Sequence, residues 1–392
     1  MRLRYLTTAL ALVALASPAV AACDANNTYT FAFQNQPTAS LNYANSYFYT
    51  ASNPLGASRN FTTTFAINGM TSTRVAGVQM PRIDNALIAS GSGAKTLMVG
   101  GVFSSRTASI TSGTRGIRVT FTFAVPIRDL AIVVHDIDYA FNQFRDWLHV
   151  SGSDGTNTYV PSLTSPHGNN NSGTPTAATS TVRFGPGTTP FAISSSEGVG
   201  IGTSANTNSN SGDVQVSFAQ PVTSVSILYG NYTLQSGETA TRQQAYGISE
   251  IRFCPLPQLS VSKSSTPYAT AGPDRFNAPG SDIAYSLTVT NSGGSPVDLA
   301  SLVLSDTLPA NVTFYNGDYN AASPGMGPFE LVAGTSGVTL PAGSATFSQN
   351  GAAYTTTAAP GYAPLVRFIR ITAGGSLAAN SNLTIRFRAR VN

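Results

Sequence analysis

The stretch His135–His149 reads HDIDYAFNQFRDWLH and crowds acidic, imidazole and aromatic side chains together. Asp136, Asp138 and Asp146 offer carboxylate oxygens, and the loop between them adds Asn142 and backbone carbonyls. Calcium takes several oxygen ligands in a loosely shaped cage, so these three acids are the candidate calcium ligands. Their spacing is not that of an EF-hand loop. The competing reading has Asp136 and Asp138 capping turns and pairing with Arg128 or Arg145. Tyr139, Phe141, Phe144 and Trp147 surround the acids and are the candidate ligand contacts, because a flat ring stacks on a sugar. Trp147 is the single tryptophan of the chain, and a lone Trp in a strand also reads as core.

Other chemistries find less support. His135, His149 and His167 lie close in sequence, but no H-x-x-x-H pair or cysteine partner completes a zinc set. No G-x-S-x-G nucleophile motif occurs. Asp136, Asp138, Asp146 and Glu197 contain no pair whose spacing fixes a glycosidase separation. No catalytic residue is assigned, and the chain is read as non-enzymatic, with a secreted hydrolase as the weakest alternative.

The elements that must position these residues are strands. The 392 residues include 45 Ser, 46 Thr, 36 Gly and 23 Pro, and only 10% are charged. That mix suits short strands and tight turns, and it disfavours a helical bundle. A net charge of +4 is no phosphate-binding footprint, so nucleic acid is excluded as a partner. Leu130, Ile132, Val134, Asp136 and Asp138 alternate on one predicted strand face, which turns from apolar to acidic at the rim. The sequence Phe123-Ala-Val-Pro126 recurs as Phe218-Ala-Gln-Pro221, each between two strands. A proline cannot donate to a ladder, so both copies predict corners, at two similar sheet edges of a sandwich or jelly roll.

Residues 1–22, MRLRYLTTALALVALASPAVAA, carry a basic start, a short apolar run and a small-x-small end. That is a secretory signal peptide. No later run is apolar enough to predict a transmembrane segment. The chain is therefore expected in the periplasm, on the cell surface or outside the cell, where Cys23 and Cys254 are expected to form a disulfide. The segment before Cys23 is also similar to a lipoprotein box, which would lipidate that cysteine instead.

Pro255-Leu-Pro257 marks a boundary between a domain at 23–256 and one at 257–392. In the second, Leu383, Ile385, Phe387, Ala389 and Val391 alternate with Thr384, Arg386, Arg388 and Arg390. This period of two predicts a half-buried strand. Its arginines read as a solvated stripe that discourages edge pairing, or as a contact for an acidic polymer. Asp306, in Asp306-Thr-Leu-Pro309, is expected to cap local amides. Lys263, on the face of Leu259 and Val261, is expected to point inward or sit at the sheet's edge. Leu259-Ser-Val-Ser-Lys263, Pro279-Gly-Ser-Asp282, Tyr285-Ser-Leu-Thr-Val-Thr-Asn-Ser-Gly293 and Asp306-Thr-Leu-Pro309 follow one another in order. Together they resemble the conserved-repeat β-sandwich of prokaryotic surface proteins, a domain of unknown function. The resemblance implies an immunoglobulin-like spacer module and carries no catalytic residues.

The fold class is thus all-β, with a jelly-roll-like sandwich followed by a smaller immunoglobulin-like sandwich. The functional expectation is bacterial adhesion: binding of a glycan or cell-envelope polymer by the first domain, aided by calcium. The alternative is a structural envelope or matrix component that associates with itself.

Overall fold

The computed structural model describes residues 23, 25–107, 109–165, 179–182, 191–200, 210–232, 242–320 and 327–392. The predicted signal peptide and His167 lie outside these residues. The described chain is all-β apart from short 3-10 turns.

In the first domain the strands that matter are β1 (Tyr29–Ala32), β2 (Tyr47–Ser52), β3 (Ser58–Asn68), β4 (Arg82–Ala89), β5 (Lys95–Phe103), β6 (Gly116–His135), β7 (Phe144–Ser153), β8 (Val214–Ser217), β9 (Val222–Asn231) and β10 (Gln243–Pro255). Their hydrogen-bonded order is β7–β9–β6–β3–β2–β1–β10–β5–β4. The far half of β6 also pairs β10, so the path returns on itself and encloses one core. Phe31, Phe61, Phe121, Phe123 and Phe253 lie in that core with Ile117, Ile132, Leu148 and Ile227. Alternation selects them, since successive strand side chains face opposite ways.

The length of β6 departs from the two separate strands that the sequence suggests. Both of its ladders change partner near Phe123-Ala-Val-Pro126. Residues 116–122 pair with β9, and residues 131–134 pair with β8. The register shifts between Thr122 and Ile127. The second copy of the motif, Phe218-Ala-Gln-Pro221, separates β8 from β9 at the same level of the sheet. The two prolines therefore build one shared corner, not two similar edges. Each removes a donor where the ladder must break, which lets the sheet fold over the core.

The second domain has β11 (Leu259–Pro267), β12 (Asp282–Asn291), β13 (Val303–Thr307), β14 (Val312–Asn316), β15 (Phe368–Thr372) and β16 (Ser381–Val391). One sheet runs β11–β12–β16–β14, and a second contains β13 and β15. A separate core fills the space between them, from Ile283 and Leu287 on β12 to Phe314, Ile369, Leu383 and Phe387. This core shares no residue with the first.

Two expectations for this domain change. The arginine stripe is not simply solvated. Asp282, with no exposed surface, pairs with both Arg388 and Arg390 and accepts the Tyr362 hydroxyl. Arg388 lies between the rings of Tyr268 and Tyr315, each 4.4 Å away, and Arg390 lies over Tyr362. Arg386 pairs with Glu330 at 3.0 Å. Asp306 is not a local cap: it holds Lys263 Nζ at 2.8 Å, tying one sheet to the other. Lys263 itself sits on the edge strand β11.

Candidate functional site

The acids sit where β6 ends. The strand stops at His135, and Asp136 takes a positive φ of 66°. That left-handed residue breaks the predicted alternation and turns Ile137 into the core. Asp138 then returns beside Asp146 at the start of β7. The two are locked reciprocally: the Asp138 N–H donates to Asp146 Oδ2 at 3.1 Å, and the Asp146 N–H donates to the Asp138 carbonyl at 3.1 Å. Asp146 is 1% exposed. Its Oδ1 accepts the Tyr229 hydroxyl and, at 3.3 Å, the Gln244 amide. His135 Nδ1 meets Asp213 Oδ1 at 2.6 Å. Asn231 Oδ1 accepts the Arg145 N–H at 2.9 Å and the Arg106 guanidinium.

The electrostatics follow from burial. Loss of water, and then the charge of Asp138, push the Asp146 carboxyl well above the ordinary carboxylate range, while the Tyr229 hydroxyl opposes the rise. Asp136 is raised by burial and then by Asp138 and Asp213. Burial and Asp146 together raise Tyr229. Sequence reasoning missed Tyr229, Gln244 and Asp213. Tyr229 leaves one signal, a hydroxyl inside the apolar run Ile227-Leu-Tyr229, whereas Gln244 and Asp213 sit in polar stretches that mark neither of them.

The predicted calcium ligands are neighbours but not a closed cage. Asp136, Asp138 and Asp146 do not bring three carboxylate oxygens within 4.8 Å of one another. Among the described residues the one such group of acids, cysteines or histidines is Cys23, Asp129 and Cys254. Its sulfurs are joined as the expected Cys23–Cys254 disulfide, with Cα atoms 6.3 Å apart. A cation held by all three acids would require side chains to shift. The predicted pairing of Asp136 or Asp138 with Arg128 is not what Arg128 does: it bonds Asp298 at 2.8 Å. The Arg145 guanidinium lies 3.9 Å from the Tyr139 ring centre.

Of the four aromatic candidates, one is displayed. Trp147 is 8% exposed and packs with Ile110, Ile193, Val199 and Leu228 in a small second core, edge-on to Tyr232 at 4.7 Å. It is therefore packed in this core and not displayed, because β7 is buried on both faces from Arg145 to Leu148. Tyr139 and Phe144 are half-buried. Phe141, at the tip of the loop, is 56% exposed. It borders an open cleft of about 700 Å³ with Asn142, Gln143, Arg242, Gln243 and Val102. The Arg242 N–H donates to the Gln143 carbonyl at 2.8 Å, and Gln243 Oε1 accepts the Ala76 N–H at 2.8 Å. These two bonds tie the Phe141 loop to the segment carrying Arg242, and Gln243 to the backbone at Ala76. A ring, three side-chain amides and one guanidinium suit hydroxyl-rich ligands, which stack on one face and hydrogen-bond around the edge.

No family model matches the chain, and no curated protein matches it. Among solved structures, recombinant discoidin II of Dictyostelium discoideum is 11% identical over 75% of this chain and 82% of that one, with a TM-score of 0.23. Wild-type discoidin II from the same organism gives 11% identity over 75% and 81%, with a TM-score of 0.21. At these values the likeness decides nothing about the site. No helix among the described residues is long and apolar enough to cross a membrane.

Proposed function

We propose that this is an exported bacterial protein that binds a glycan or cell-envelope polymer without turning it over, through the cleft at Phe141. The observation that carries the reading is the exposed Phe141 ring beside Asn142, Gln143, Gln243 and Arg242. The signal-like start and the disulfide support export, since structural disulfides persist in oxidising compartments. The second domain would act as a spacer of the conserved-repeat type.

The test is a polysaccharide and glycan panel probed with the chain from Cys23 onward, with Phe141→Ala and Arg242→Ala as variants. Phe141→Ala is expected to weaken binding at least about tenfold, through lost stacking, without moving the melting temperature. No binding to any member, or binding indifferent to both variants, overturns the reading. A second reading, self-association, draws on one observation. All nine residues of β11 are exposed, and β11 pairs only β12 among the described residues. Such an edge is a template for another chain. Oligomers abolished by Val261→Lys, seen by sedimentation in the absence of glycan binding, would put it first.

A further inference from the structure

The corner at Phe123–Pro126 does more than redirect a sheet. With the connector and the second domain it walls a groove of about 360 Å³, within the size range of small-ligand pockets. Its sides are apolar: Phe123, Val125 and Ile127 from β6, Phe253 and Pro255 from β10, and Leu256 from the connector. The opposite wall is Gly293-Gly294, at the end of β12. Side chains there would close the junction. A Cβ on Gly293 would stand 2.4 Å from the Gln258 nitrogen, and one on Gly294 would stand 2.8 Å from an Arg59 terminal nitrogen.

Arg59 is the one charged residue lining this groove among the described residues. Its guanidinium donates to the Ser58 carbonyl at 3.1 Å and lies over the Tyr29 ring at 5.6 Å. No carboxylate pairs with it among the described residues. By contrast, Arg128 at the same junction is held by Asp298. A guanidinium with donors to spare, set beside an apolar trough, has a definite complement. We infer that the junction groove binds a small anionic amphiphile, an alkyl or aryl carboxylate whose apolar body lies against Phe123, Val125 and Leu256 and whose carboxylate meets Arg59. A guanidinium matches a carboxylate in shape as well as charge.

This site is independent of the Phe141 cleft, and its test separates the two. The probes are octanoate and its uncharged counterpart octan-1-ol, titrated by calorimetry into the chain from Cys23 onward. Octanoate is expected to bind about tenfold more tightly than octan-1-ol. Arg59→Gln should erase that preference while leaving octan-1-ol unchanged. Ala124→Trp, at an exposed position on the rim, should block both ligands. Phe141→Ala should alter neither. Circular dichroism establishes that each variant is folded. Equal affinity for the two probes, a preference that survives Arg59→Gln, or no octanoate binding at millimolar concentration would overturn the assignment.

Discussion

Asp146 shows what a single buried carboxylate implies for stability. Its neighbours within bonding distance are neutral donors: a tyrosine hydroxyl, an amide and a backbone N–H. Burial and the charge of Asp138 raise its folded pKa above the ordinary 3.8. The folded state therefore holds this proton more tightly than the unfolded state does. Its contribution to stability is intact below pH 3.8 and is lost as pH rises through the raised folded value. Asp146→Asn keeps an acceptor for Tyr229 and removes the charge. The variant should match the wild type near pH 4 and exceed it increasingly above, by about 1–3 kcal/mol at neutrality, or several degrees in melting temperature. A difference that does not change with pH would refute this account. The sequence shows the acids themselves, but not which of them is sealed. That depends on the left-handed turn at Asp136, which an aspartate tolerates without announcing it. The same limit applies to Trp147. Its neighbours Ile193 and Val199 arrive from a distant segment, so its residue type favours core but does not by itself remove the contact reading.

At the scale of elements, strand periods and corners are legible because they are local. The Phe-Ala-x-Pro likeness is visible in the chain, yet its meaning appears only when β8 and β9 lie beside β6. Close approach of backbones is hidden in the same way. Gly200 and Gly198 belong to one short segment beside β7 and look equivalent in sequence. A Cβ on Gly200 would fall 1.8 Å from the Asp138 carbonyl oxygen, whereas one on Gly198 would meet nothing nearer than Leu148 Cβ at 4.0 Å. The first conflict is with backbone and cannot be relieved by a rotamer. Gly200→Ala should therefore lift the Asp138 turn and cost about 1–3 kcal/mol, while Gly198→Ala should be near neutral. Urea midpoints of the two variants decide it. Equal midpoints would mean that the Asp138 turn is not clamped in this way.

Across the whole molecule, the division into two cores is readable from Pro255 and Pro257 and from the change to clean alternation after them. How the halves meet is not readable, because the contacts join residues far apart. Arg128, buried at the far end of the Phe123–Pro126 corner, reaches into the second domain and holds Asp298 at 2.8 Å and Ser295 Oγ at 3.3 Å. The Ser292 N–H donates to the Gln258 carbonyl, and the Leu256 N–H donates to the Pro126 carbonyl. The connector is thus bonded to both domains and is not a free hinge. The short loop after Asn291 carries Ser292, Ser295 and Asp298 to this junction, so the turn chemistry seen in the sequence also builds the joint. Removing Asp298 leaves the Arg128 guanidinium buried with Asp129, 3.8 Å away, as its one carboxylate partner among the described residues. Loss of one member of a partly buried, charge-assisted bond costs about 1–3 kcal/mol. Here that cost falls on the coupling between domains, since neither core contains the pair. Calorimetry of Asp298→Ala should therefore show the thermal transition separating into two, with the second-domain transition moved down by a few degrees. The disulfide, confined to the first domain, should be unaffected. A single transition at the wild-type temperature would show that the Gly293-Gly294 seat alone is enough to hold the domains together.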